Sequence, residues 1–203
     1  AQHLVEVART SDAEEIVVIG HSSGSFLGVE IMARALALDP DLGRHGPHVV
    51  LLTLGGNLPI VGFHSVSEPF RQHLRKLAVA PTIDWIDGQS RKDVMNFYPF
   101  DPIAGHGIDA GAARRNPTVV PIRFRDMIHP AHYNRFRWQF FRVHFQFVMA
   151  SERPHPFDFY LVVCGPVALS DRVADPAAAL AMVAGSVSPA VGNTPLPPAS
   201  PVR

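Results

Sequence analysis

The sequence predicts an α/β fold built on a mostly parallel sheet with helices packed on its faces. Two observations carry that prediction. Short runs at 16–19 and 49–54 are apolar, but for Thr53, rather than alternating, as in strands buried on both sides. Those runs alternate with stretches of helical period, with breaks at Asp39-Pro40 and Gly55-Gly56-Asn57, which is the rhythm of strand–helix–strand units.

In order along the chain, residues 1–9 read as a helix and 16–19 as a strand. A helix follows from about residue 25 to 38, broadly apolar through Phe26, Leu27, Val29, Ile31, Met32, Ala35 and Leu36, and Asp39-Pro40 ends it. Pro47-His48 opens a second buried strand over 49–54. Residues 70–78 read as a short helix and 81–86 as a third strand. A Gly- and Pro-rich excursion over 98–117 fits no regular element. Residues 118–124 read as a fourth strand, and the internal Pro121 suits a sheet edge. The aromatic-rich stretch 135–150 reads as one helix, and 159–164 as a strand or buried segment before Gly165-Pro166. The organisation expected is one domain over 1–185 and a disordered Pro/Ser/Ala/Gly-rich tail over 186–203.

The chain has 203 residues, enough for one substantial core, with 47% hydrophobic and 18% charged residues. Its 18 basic and 18 acidic residues balance, so net charge gives no reason to expect nucleic acid or an anionic membrane surface as partner. A single cysteine, Cys164, excludes an internal disulfide framework and fits a reducing, cytoplasmic compartment. No apolar run reaches membrane-spanning length.

The most informative segment is Gly20-His21-Ser22-Ser23-Gly24, a G-x-S-x-G pentapeptide between a buried strand and a helix. A serine raised above a sheet needs a strand that stops abruptly, one strained residue, and a helix that starts at once. Glycines two before and two after the serine allow the neighbouring backbones to approach. The helix start then directs free N–H groups towards a developing oxyanion. The hydroxyls of Ser23 and Ser25 sit at the wrong offset for a nucleophile and read as helix-start caps.

This segment resembles the nucleophile elbow of the α/β-hydrolase superfamily, among lipase- and esterase-like serine hydrolases. Leu52-Thr53-Leu54-Gly55-Gly56-Asn57-Leu58-Pro59 is similar to the strand-end T-L-G-x-P segment of lipase-like members, with Gly56-Asn57 where a serine is common. The resemblance implies that Ser22 is the nucleophile, that the Ser23 N–H is one oxyanion donor, and that His21 shapes the pocket. It further implies an acid and then a histidine later in the chain. Asp93, followed by Val94 as an aliphatic anchor for its loop, matches the acid position. Asp87 is the runner-up and Asp101 stands third. His144 is the leading base, with His129, His132 and His155 as alternatives and a core histidine on an aromatic helix as the competing reading. His3, His45, His48 and His73 are bystanders; His64 is placed to line the cleft, and His106 falls in the excursion.

Asp126, His129 and His132 lie close together, yet no H-E-x-x-H, cysteine pair or carboxylate cluster accompanies them, and no metal or cofactor is expected. Arg123, Arg125, Arg135, Arg137 and Arg142 alternate with Phe and Trp, which reads as a solvated helix face with aromatic packing beneath. About fifteen residues precede the elbow strand, whereas several strands do so in the full hydrolase fold. The resemblance therefore implies a truncated α/β-hydrolase fold with N-terminal strands missing, an apolar edge strand, and a piece poorly soluble or inactive alone. The function expected is a serine hydrolase that cleaves a small-molecule carboxylic ester through an acyl-enzyme. Segments 98–117 and 135–147 are candidates for a substrate-facing cap. The alternatives are a non-catalytic binding module of the same fold, and an acyltransferase or thioesterase using the same triad.

Overall fold

The computed structural model describes residues 1–186, where four strands form one sheet in the order β1-β2-β3-β4. β1 is Glu15–His21, β2 His48–Leu54, β3 Ile83–Gln89 and β4 Thr118–Pro121, and each neighbouring pair is parallel. Parallel neighbours in chain order need a crossover between each pair. α1 (Gln2–Thr10) precedes β1, and α2 (Gly24–Leu38) makes the first crossover. α3 (Leu58–Gly62) and α4 (Glu68–Ala78) make the second.

α2 and α4 bury the same face of the sheet. Val29, Met32 and Leu36 of α2 meet Leu74 and Leu77 of α4 over Val49, Leu51, Ile83 and Trp85. Ile103 and Ile108 of the excursion join this core, so that segment is anchored although it holds only two 3₁₀ turns, Ala104–His106 and Gly111–Ala113. The opposite face presents Val50, Leu52, Leu54 and Ile86 to Phe124, Met127, Phe136, Val143, Phe147 and Leu169. Residues 49–52 of β2 thus feed opposite cores in turn, which is why that run is apolar without alternation.

That second layer is built from short helices: α5 (Phe124–Met127), α6 (Pro130–Phe136), α7 (Phe140–Phe145), α8 (Phe159–Cys164) and α9 (Leu169–Ala174). α10 (Pro176–Ser186) follows. Several expectations change here. The third strand extends to Gln89, because it is paired with both β2 and β4, and this places Asp87 inside the strand. The fourth ends at Pro121, on the sheet edge, and Phe124 opens α5 instead.

The single helix expected over 135–150 is the end of α6, then α7, then a 3₁₀ turn at Gln146–Val148. Aromatic side chains lose rotamer freedom in a helix, and these cannot all reach one core. Phe136 and Phe147 are buried, whereas Trp138, Phe140, Phe141 and Phe145 are exposed, so aromatic packing lies outside as well as beneath. The segment 159–164 is a helix, not a strand, and none of its residues is buried. Asp158 starts it by accepting the Tyr160 and Leu161 N–H groups, a cap that outweighs the β propensity of the apolar run.

β1 is an edge strand, and its Ile16, Val17, Val18 and Ile19 are half-buried. Among the described residues, no helix is long and apolar enough to cross a membrane. The tail expected over 186–203 lies outside the described residues except for Ser186, which ends α10.

Candidate active site

β1 ends in a turn in which Ser22 has φ 54°, the only positive φ at a non-glycine among the described residues. Such a conformation costs a residue with a Cβ on the order of 1–3 kcal/mol and persists only where the surroundings impose it. Here the Ser22 N–H donates to the Leu54 carbonyl at 3.0 Å, and the Ser22 carbonyl accepts from the Ser25 N–H at 3.0 Å. A Cβ on Gly20 would lie 2.5 Å from the Gly24 carbonyl oxygen and 2.9 Å from Ser25 Cα, so this glycine is required. Gly24 is different from expectation. A Cβ there meets nothing within 4 Å, and its carbonyl, rather than its missing side chain, is what approaches Gly20.

The capping reading of the two neighbouring serines is also corrected. Ser23 is the N-cap residue of α2 but its side chain caps nothing. Ser25 Oγ, fully buried, donates to the Gly20 carbonyl at 3.3 Å and so ties the helix back to the strand end. Among the described residues the Ser23 N–H makes no hydrogen bond, which leaves it available to a ligand at the start of α2.

The structure brings Asp93 and His144 together, 51 positions apart in the chain. His144 Nδ1 donates to Asp93 Oδ2 at 2.7 Å, with the two side chains 3% and 1% exposed. An acceptor carboxylate fixes the proton on Nδ1, so the lone pair of the neutral ring is on Nε2. That nitrogen is buried and has no hydrogen-bond partner. Asp93 Oδ1 accepts the Met95 N–H at 3.0 Å. The Asp93 loop is held differently from the prediction, since Val94 is 73% exposed and anchors nothing. Buried Asn96 does so instead, donating through Nδ2 to the carbonyls of Ser90 and Asp93 and accepting the Ser90 N–H.

His21 connects the two halves. Its Nε2 donates to the His144 carbonyl at 3.1 Å, and the two rings lie 4.6 Å apart. Burial holds the His21 imidazole below its ordinary pKa, although that backbone acceptor pulls the other way. His21 is therefore placed as a neutral neighbour of His144. The exposed ring of Phe145 lies 5.5 Å from His21 and gives the site an apolar surface. Among the described residues no hydrogen bond joins Ser22 to His144.

The turn after β2 passes between these groups. Gly55 has φ +55°, and a Cβ on it would lie 2.6 Å from the Phe147 ring and 3.4 Å from Asp93 Oδ2. A Cβ on Gly56 would meet Ser25 Oγ at 2.9 Å. The doublet thus lets three elements converge, and its position at a strand end was the signal. Asn57, also unassigned, is buried with Nδ2 donating to Ser23 Oγ at 3.4 Å and Oδ1 unpartnered.

The other candidates lie elsewhere. Asp87 is buried in a network with Thr53, whose hydroxyl receives the Trp85 indole N–H, and with Gln89, whose Nε2 also donates to the Phe100 carbonyl. Burial raises its carboxyl to about 6 against the bonds from Thr53 and Gln89. Asp101 pairs with Arg114. His132 pairs with Glu152, His129 caps α6 through Ala131, and His155 accepts the Phe157 N–H. His64 is exposed, and His106 donates to the Pro102 carbonyl. Among the described residues no group of three or more His, Cys, Asp or Glu is arranged to hold a metal ion. Compared with models of known families, with curated proteins and with solved structures, the chain matches none.

Proposed function

We propose that the chain is a serine hydrolase of carboxylic esters, of the α/β-hydrolase type, with Ser22 as nucleophile, His144 as base and Asp93 as the group that orients it. The observation that carries this reading is the buried Asp93–His144 pair, which leaves Nε2 unpartnered in a residue that touches His21, the neighbour of the strained Ser22. Ser22 Oγ attacks the acyl carbon as His144 Nε2 takes its proton, then returns it to the leaving alcohol. Asp93 keeps the proton on Nδ1 and stabilises the imidazolium. The Ser23 N–H receives the oxyanion. In unliganded sites the serine–histidine bond is often long and closes only with substrate. A neutral His21 next to His144 avoids a second positive charge when the imidazolium forms. The exposed Phe145 ring favours an apolar acyl group.

Labelling with a fluorophosphonate probe tests the reading. Labelling is expected to vanish with Ser22→Ala and to fall by more than about 10⁴-fold with His144→Ala. A well-folded protein that does not label would be a binding scaffold rather than an enzyme.

A further inference from the structure

A second feature adjoins the Asp93 loop. Beyond the C-terminal ends of β3 and β4 opens a cleft of about 550 Å³, walled by Arg91, Lys92, Arg123, Arg125, Tyr98 and Tyr133. Open parallel sheets present their ligand sites at this end of the strands. No carboxylate lines the cleft. Among the described residues Arg91, Lys92 and Arg125 form no ion pair, and Arg123 meets only the exposed Asp126, at 3.5 Å. Lys92 and Arg125 are instead held over aromatic rings, those of Trp138 at 5.3 Å and Tyr133 at 6.0 Å. In a chain with 18 basic and 18 acidic residues, four cations around one concavity are a local concentration rather than a general basicity. A concave wall of one sign focuses potential and attracts the opposite charge.

We propose that this cleft binds the phosphate group of a small phosphate monoester. A lone carboxylate leaves most of that charge unanswered, whereas a monoester phosphate carries about −1.5 to −2 at neutral pH and offers three acceptor oxygens. Three of the four cations are arginines, whose planar fork suits two phosphate oxygens at once. Tyr98 and Tyr133 supply flat walls for the organic part. Lys92 directly precedes Asp93, so one loop walls the cleft and holds the partner of His144.

Titration calorimetry with phenyl phosphate at low ionic strength tests the proposal. Wild type and Ser22→Ala bind it alike. The double variant Arg91→Ala/Arg125→Ala binds at least tenfold more weakly, as does Arg123→Glu, a change at a 74% exposed side chain that the fold tolerates. Added salt weakens the wild-type binding. Absence of binding to wild type, or unchanged affinity in a folded Arg123→Glu protein, overturns the proposal. Sedimentation with phosphatidylcholine vesicles carrying phosphatidic acid separates the sources. Protein that pellets, and stops doing so in the double variant, takes its phosphate from a lipid headgroup; protein that stays soluble takes a free ester. Phosphate binding without fluorophosphonate labelling sinks the hydrolase reading and keeps the cleft, and the converse sinks the cleft alone.

Discussion

The two halves of the candidate site are held in different ways. The elbow is fixed by backbone: Gly20 admits the Gly24 carbonyl, Leu54 receives the Ser22 N–H, and Ser22 sits at φ 54° between them. The acid–base half is fixed by side chains drawn from distant parts of the chain. Asn96 shapes the Asp93 loop, Asp93 orients His144, and Phe147 closes on Gly55 behind them. A backbone device tolerates no added Cβ at its contact point, and a side-chain device tolerates no change of donor or acceptor. Each half should therefore fail under its own kind of substitution.

The largest expected effect breaks the side-chain half. Asp93→Asn preserves shape but turns an acceptor pair into an acceptor and a donor, so His144 no longer keeps its proton on Nδ1. The fluorophosphonate labelling rate should fall by about 10⁴ through the wrong tautomer, with Ser22 and its turn intact. A rate within tenfold of wild type would mean that Asp93 does not orient the base.

Breaking the elbow is the next largest effect, and its two glycines should separate sharply. In Gly20→Ala the added carbon meets backbone atoms at 2.5–2.9 Å that have nowhere to move. A loss of about 3 kcal/mol or more is expected in urea unfolding, with a reduced labelling rate. Gly24→Ala places its carbon in open space at the start of α2 and trades a flexible residue for a helix former. It should be neutral or up to about 1 kcal/mol more stable, and should still label. Loss of labelling at unchanged stability in Gly24→Ala would show that the second glycine is needed for ligand access, and an equal loss of stability that it is needed for folding.

This division also explains what the sequence made legible. The elbow was readable because its requirements are local: a buried run, two glycines around a serine, and a helix start within a few residues. β1, α2 and β2 followed from the same local logic, and so did the parallel sheet. Asp93 and His144 were reachable only through an expected chain order, because nothing in either segment states that they meet. The support beneath them was less legible still. Pattern points to Val94 as the anchor, but the work falls to Asn96, a buried amide indistinguishable in sequence from a turn residue. Beyond β4 the helices are four to seven residues long until α10, too short for a 3.6-residue period to declare itself. Arg91 and Lys92 meet Arg123 and Arg125 only because β3 and β4 are neighbours.

Asp87 offers a smaller effect that sharpens the same contrast, since it is another side-chain device, this time in the sheet itself. Both its oxygens accept bonds, from Thr53 and from Gln89, yet burial lifts its pKa from 3.8 to about 6. A neutral Asp87 fits the same contacts if its own O–H donates to Thr53, whose hydroxyl then turns towards the Ile86 carbonyl, 3.5 Å away. With the folded pKa above the unfolded one, the native state binds the extra proton between about pH 4 and 6. Its stability contribution is whole below pH 4 and is lost as pH rises through 6, by about 3 kcal/mol at 1.36 kcal/mol per unit. Asp87→Asn mimics the neutral acid, with an amide N–H towards Thr53 and an oxygen towards Gln89. Urea unfolding from pH 4 to 7 should then show wild type losing stability relative to the variant through pH 4–6 and holding steady above. Parallel curves would mean that the bonds from Thr53 and Gln89 fully offset burial, and that this carboxylate is ionised throughout.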